Sequence, residues 1–247
     1  MEEPSLTYTT AYQTEKDSFY VTVGLWQAGQ NRIFIDCNVQ SPADMLSPGR
    51  IGMTAILPVR FTAMKWYGKG PLETYPDRQC GGRMGVYSED VRNQPFYLRP
   101  QEYGLHTESR SMRLTDPDRA DFVRFEAACP MAMSAVPYSD LQLWNARHPF
   151  ELPAPEALYV HLDYAHRGLG NSSCGPDVLP TYRIDDRPCR FGFALEAGLG
   201  EREDNPFGPI PEEIPAYHPW KAVEEQDGTP SYRDPSDPDQ RSNAGMV

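Results

Sequence analysis

Four stretches hold side chains whose types and spacing could do chemistry. In "ALYVHLDYAH" (157–166) His161 and Asp163 stand two residues apart, and His166 closes the segment. In an extended chain that spacing puts the first two on one face. There they could ligate a metal or exchange protons, the alternative being an ordinary solvated strand face. In "RPQEYGLHTESR" (99–110) Glu102, His106 and Glu108 form a second histidine–carboxylate set, or else a loop and a half-exposed strand. "HRGLGNSSCGPDVLP" (166–180) sets Asn171, Ser172, Ser173 and Cys174 among Gly168, Gly170 and Gly175. Glycine permits backbone shapes other residues resist, and loop tips of this kind carry binding groups. A nucleophilic Cys174 would need a base, which His161 or His166 could supply only if the fold brought them close. Finally, "WYGKGPLETYPDR" (66–78) contains Glu73 and Asp77. Glycoside cleavage needs two carboxylates at a defined separation. Turn chemistry gives another reading: Asp77 and Arg78 organise a corner, Pro71 and Pro76 fix φ, and Glu73 accepts backbone hydrogen bonds.

The elements that must position these groups are strands. "SLTYTTAY" (5–12), "SFYVTVGLW" (18–26) and "RIFIDCNV" (32–39) are rich in β-branched and aromatic residues. "GMTAILPVRFTAMKWYG" (52–68) is longer, with Pro58 as a bulge or break. "LHTESRSMRL" (105–114), "DFVRFEAAC" (121–129), segment 157–166 and "RFGFALEA" (190–197) complete the series. Within 157–166, Leu158, Val160, Leu162 and Tyr164 share one face, and Tyr159, His161 and Asp163 the other. One helix is expected, opened by a capping box of Ser139 and Gln142 before "LWNA" and ended by Pro149. Strands separated by frequent turns predict an antiparallel β-sandwich.

Composition removes several function classes. The 247 residues carry a formal net charge of −12, whereas a nucleic-acid binder needs a basic footprint. No apolar run is long enough for a membrane span, and residues 1–20 have neither a basic nor an apolar signal region. A cytoplasmic protein is expected. Five widely spaced cysteines without a CxxC pair predict reduced thiols and no structural zinc. Residues 200–247 are proline-rich and acidic, which predicts an extended or disordered tail, with Phe207, Tyr217 and Trp220 as its candidate anchors.

Three of the same stretches resemble one family, the C-terminal domain or small chain of glycoside hydrolase family 2 β-galactosidases. "WYGKGPLETYPDR" is similar to its W-x-G-x-G-P-x-E-x-Y-x-D-R block. "PQEYGLHTESRSMRL" resembles the next, and "LYVHLDYAHRGLGNSSCGPDVLPTYRI" a third, in the family's order over residues 55–195. The resemblance implies an all-β antiparallel supersandwich, like that of galactose mutarotases, over residues 1–199. It implies that the edge of this sandwich leans on a catalytic barrel, which supplies the glutamates of a retaining β-galactosidase. The barrel's asparagine–glutamate motif is absent here, so no catalytic residue is expected in this chain.

What the resemblance implies about binding centres on the third block. There the family often places a tryptophan at the edge of the galactose pocket. That position is Cys174 here, with Asn171 and Ser173 beside it, so these three are the expected substrate-binding residues. No cofactor or metal site is expected in this chain, and any Mg or Na belongs to the catalytic partner. The family's preceding R-A-P-x-D-N-D stretch is not found, which predicts a fragment, or a subunit of an oligomer whose remaining strands come from a partner. Two other readings stay open: a stand-alone carbohydrate-binding sandwich, and a mutarotase-like isomerase using His106 or His161 with a glutamate.

Overall fold

Alternating apolar and polar residues set the strands, and the computed structural model describes residues 5–13, 18–41, 47–94, 97–170, 175–185 and 187–200. The strands are β1 (Leu6–Gln13), β2 (Ser18–Gln27), β3 (Arg32–Gln40), β4 (Arg50–Pro58) and β5 (Ala63–Gly70). They continue as β6 (Arg83–Asp90), β7 (His106–Thr115), β8 (Phe122–Val136), β9 (Ala157–His166) and β10 (Cys189–Gly198). Every strand pairing is antiparallel. The main path runs β1-β2-β3-β10-β8-β7-β5-β6, and β9 branches from β8 to carry β4.

Strand β8 makes the sheet fold over itself. Its first part pairs with β10 through Ala127, and its last part pairs with β9 from Ala132 onward. The register with β7 jumps between the two parts, from Ser111↔Glu126 to Ser109↔Met131. Pro130 falls inside that jump, where no ladder donor is required of it. The expected strand 121–129 was therefore too short, because a proline at a change of partners does not end a strand. The expected strand 52–68 is two strands, broken just after Pro58 as that residue allowed. Strand β6 was not foreseen.

The branch lays β4 and β9 against β3 and β10, closing a sandwich. Leu158, Val160 and Leu162 of β9 are fully buried in one cluster with Cys37, Phe125 and Phe191. Tyr164 stacks on Phe191 with ring centroids 5.5 Å apart, and the Cys37 thiol lies 3.2 Å from the Met53 sulfur. The anticipated apolar face of β9 is thus the core face.

Its opposite face is covered as well. Helix α1 (Asp140–Asn145) carries the expected capping box, with Ser139 and Gln142 each bonding the other's backbone. It ends at Asn145 rather than at Pro149, which instead opens a separate 3₁₀ turn. Leu143 of α1 and Tyr103 from the loop before β7 bury themselves with Val136, and Tyr159 of β9 packs against them. Among the described residues no helix is long and apolar enough to cross a membrane.

Two substitutions separate core from surface. Leu162 is wholly buried and Ile56 is 66% exposed. Leu162→Ala should cost about 2–5 kcal/mol in chemical denaturation, and Ile56→Ala less than about 0.5 kcal/mol.

Candidate functional site

The second covered face of β9 holds an ionic cluster. His161 and Asp163, for which a solvated strand face was one reading, are 4% and 1% exposed, with Asp140 of α1 approaching His161 and Arg50 approaching Asp163. Arg50 at the start of β4 reaches Glu102 and Asp140, each at 3.2 Å, and approaches Asp163 at 3.7 Å. The last is a charge contact without a hydrogen bond, since neither facing atom has a hydrogen-bond partner. His161 meets Thr54 Oγ1 at 3.0 Å through Nδ1, and its Nε2 lies 3.6 Å from Asp140.

His166 pairs with Glu102, not with its strand neighbours. Its Nδ1 donates to the Arg167 carbonyl at 2.6 Å, and its Nε2 faces Glu102 Oε1 at 2.6 Å. Both nitrogens point at acceptors, which favours the imidazolium. Burial opposes that charge, but the Glu102 hydrogen bond and the Glu102 and Asp163 charges outweigh it, so the pKa of His166 is raised. Burial likewise opposes charge on Glu102, whose pKa is nevertheless lowered by His166 and Arg50. With no free lone pair, His166 is unsuited to act as a base. The Glu102–His106–Glu108 set does not assemble: His106 instead stacks on Trp66 with centroids 3.9 Å apart. Glu108, at φ 56°, occupies the irregularity between His106 and Ser109.

The other two buried groups are shifted towards their neutral forms. Desolvation, then the Arg50 charge, brings His161 down to about 4. Desolvation pushes Asp163 up to about 7 against the pull of Arg50.

Beside this cluster lies the corner formed by residues 70–79. Glu73 accepts from Arg78 and from the Tyr97 hydroxyl through one oxygen, and from the Gly104 amide at 2.7 Å through the other. Thr74 donates its amide to the Leu105 carbonyl at 2.7 Å, and its hydroxyl accepts the Thr107 amide at 2.8 Å. Asp77 accepts the Leu169 amide at 3.0 Å and the Gly170 amide at 2.7 Å, one on each oxygen. So Arg78 does brace the corner and Glu73 does accept a backbone amide, as turn chemistry predicted. Asp77 does something local turn chemistry could not show: it holds a loop 92 and 93 residues downstream.

Two glycines allow that loop to sit so close. Gly170 is at φ +63°, and a Cβ there would lie 2.7 Å from the Val178 amide. A Cβ on Gly168 would lie 2.7 Å from Val178 Cγ2 and 2.8 Å from Asp77 Cγ. Gly168 also donates to the Tyr182 carbonyl, closing the loop on its far side. The expected substrate-binding residues Asn171, Ser173 and Cys174, with Ser172, lie outside the described residues, as does the tail from 201. What the structure places is the base from which they extend. Among the described residues, Cys37, Cys80, Cys129 and Cys189 form no disulfide.

Comparison with known proteins follows the same segments. The family model described as beta galactosidase small chain matches residues 2–195. A beta-galactosidase of Staphylococcus xylosus is 31% identical over 156 residues, 62% of this chain and 16% of that protein. Beta-galactosidase BgaC of Bifidobacterium adolescentis is 35% identical over 175 residues, 68% of this chain and 16% of that protein. A beta-galactosidase of Photobacterium profundum is 29% identical over 198 residues, 77% of this chain and 18% of that protein. The chain therefore spans about a sixth of the length of these curated relatives. A putative aldose 1-epimerase from Escherichia coli K12 superposes with a TM-score of 0.44 at 11% identity, covering 78% of this chain and 65% of that one.

Two measurements check the site. Asp77→Asn keeps one acceptor oxygen and loses the other, so amide exchange at Leu169 or Gly170 should accelerate at least about tenfold, read by NMR. The second uses pH. A carboxyl whose folded pKa is raised stabilises below its unfolded pKa, and that contribution is lost as pH rises through the folded value of about 7. Asp163→Asn removes this loss, so it should raise Tm relative to wild type more at about pH 8 than at about pH 5.

Proposed function

Because this chain belongs to the beta-galactosidase small-chain family, we propose that it is the non-catalytic β-sandwich of a retaining β-galactosidase. It lines the rim of the galactose site and stabilises the assembly, and the catalytic glutamates belong to another domain or chain. The observation that carries this reading is the paired acceptance of the Leu169 and Gly170 amides by Asp77. Those bonds fix the root of the loop bearing Asn171, Ser173 and Cys174, so a contact made there keeps its aim.

The partner in this reading is a catalytic barrel domain or large subunit, which supplies the length that the relatives have beyond the matched region. The ligand is a β-galactoside, any Mg or Na sits with the barrel, and the assembly works as an oligomer in the cytoplasm. A mutarotase-like reading, with His106 or His161 paired to a glutamate, is less well supported, because His106 lies 3.9 Å from Glu89, beyond hydrogen-bond reach, His161 bonds Thr54, and Glu102 is committed to His166 and Arg50.

Assaying a chromogenic β-galactoside tests the proposal. The chain alone should give no turnover, and turnover should appear when it is combined with the catalytic part of a β-galactosidase lacking the matching region. In that mixture Cys174→Ala should raise KM about two- to fivefold, the scale of one lost contact, with little change in kcat. Turnover by the chain alone would overturn the reading, as would a mixture that stays inactive.

A further inference from the structure

The cleft beneath the 70–82 segment, of about 660 Å³, ends on a histidine with no hydrogen-bond partner. That residue is His106, which is 1% exposed, and neither ring nitrogen bonds any described group. An unpaired buried polar atom is costly, so such a group is normally met by something. Beside it Gln94, 7% exposed, gives its amide to Glu89 at 2.9 Å, which leaves the buried Gln94 Oε1 also unpartnered. Glu89 Oε1 lies 3.9 Å from His106 Nε2, beyond hydrogen-bond reach.

From this we infer that the cleft is a binding site for a neutral polyhydroxy molecule of monosaccharide size. Three features select that class. An imidazole offers one N–H and one lone pair, so its partner must both accept and donate, as a hydroxyl does and an ammonium does not. Glu73, Asp77 and Glu89 line the cleft, and its one cation among the lining residues, Arg78, is taken up by Glu73 and Tyr97. An anion would therefore meet uncompensated negative charge. Pro71, Leu72 and Cys80 add apolar wall that suits the C–H face of a sugar ring, and the volume lies in the range of small-molecule sites. The Glu73 and Asp77 carboxylates hold backbone amides, which leaves His106, Gln94 and Glu89 as the recognising groups.

The inference rests on the β-galactosidase reading only for the choice of galactose as probe. The test is NMR titration of the whole chain with D-galactose, and with D-galacturonate as its anionic counterpart. Galactose should bind and shift the His106 ring nitrogens and the residues 70–82. Galacturonate should bind at least about tenfold more weakly. His106→Phe, which keeps the stacking on Trp66, and Gln94→Leu should each weaken galactose about three- to tenfold, the scale of one lost hydrogen bond. If His106→Phe does not fold, Gln94→Leu carries the comparison, with a thermal melt confirming its fold. Absence of galactose binding by the folded chain overturns the inference. So does equal binding of galacturonate, or binding that both variants leave unchanged. Shifts confined to residues 168–182 would also overturn it, while leaving the rim reading intact.

Discussion

Two carboxylates that accept backbone amides hold one end of this molecule together. Glu73 takes the Gly104 amide and Asp77 takes those of Leu169 and Gly170, so one corner fixes two loops distant in sequence. Charge-assisted bonds of this kind are about twice as strong as neutral ones, and losing the acceptor leaves those amide donors without their partner. The fit is also steric, since Gly168 and Gly170 leave no room for a Cβ where the loop meets Asp77 and Val178. The corner that begins as a turn between β5 and β6 is thus a clamp.

Behind the clamp, the ionic cluster ties β4, β9, α1 and the loop before β7 to one another. Arg50 is its hub, with three carboxylates around it. Burial of this kind is costly, which is why Asp163 and His161 are held towards their neutral forms. His166 and Glu102 keep their charges because each satisfies the other. The result is a layer that resists sliding: displacing α1 or the covering loop would strand buried charge.

Much of the fold could be read from local pattern. The alternation in 157–166 matched β9 at both ends, and the Ser139–Gln142 capping box started α1 at the right residue. The failures came where tertiary structure overrode a local rule. Pro130 continues a strand because β8 changes partners there, and His161 and Asp163 are buried beside charged partners, Asp140 and Arg50, that alternation alone does not reveal. The Glu102–His166 pair spans 64 residues and the Asp77 bonds span more than 90, so no spacing rule could reveal either. The three family-like blocks did mark these segments in the sequence, and the structure gives the physical reason: they are the pieces the clamp joins.

In the function proposed above, the clamped loops face the catalytic partner. Hydrogen exchange on this chain, free and mixed with the catalytic part of a β-galactosidase, decides whether they do. New protection should concentrate in residues 70–82 and 168–182, with the β1–β3 end unchanged. Protection confined to the β1–β3 end, with both loops exchanging as in the free chain, would contradict it.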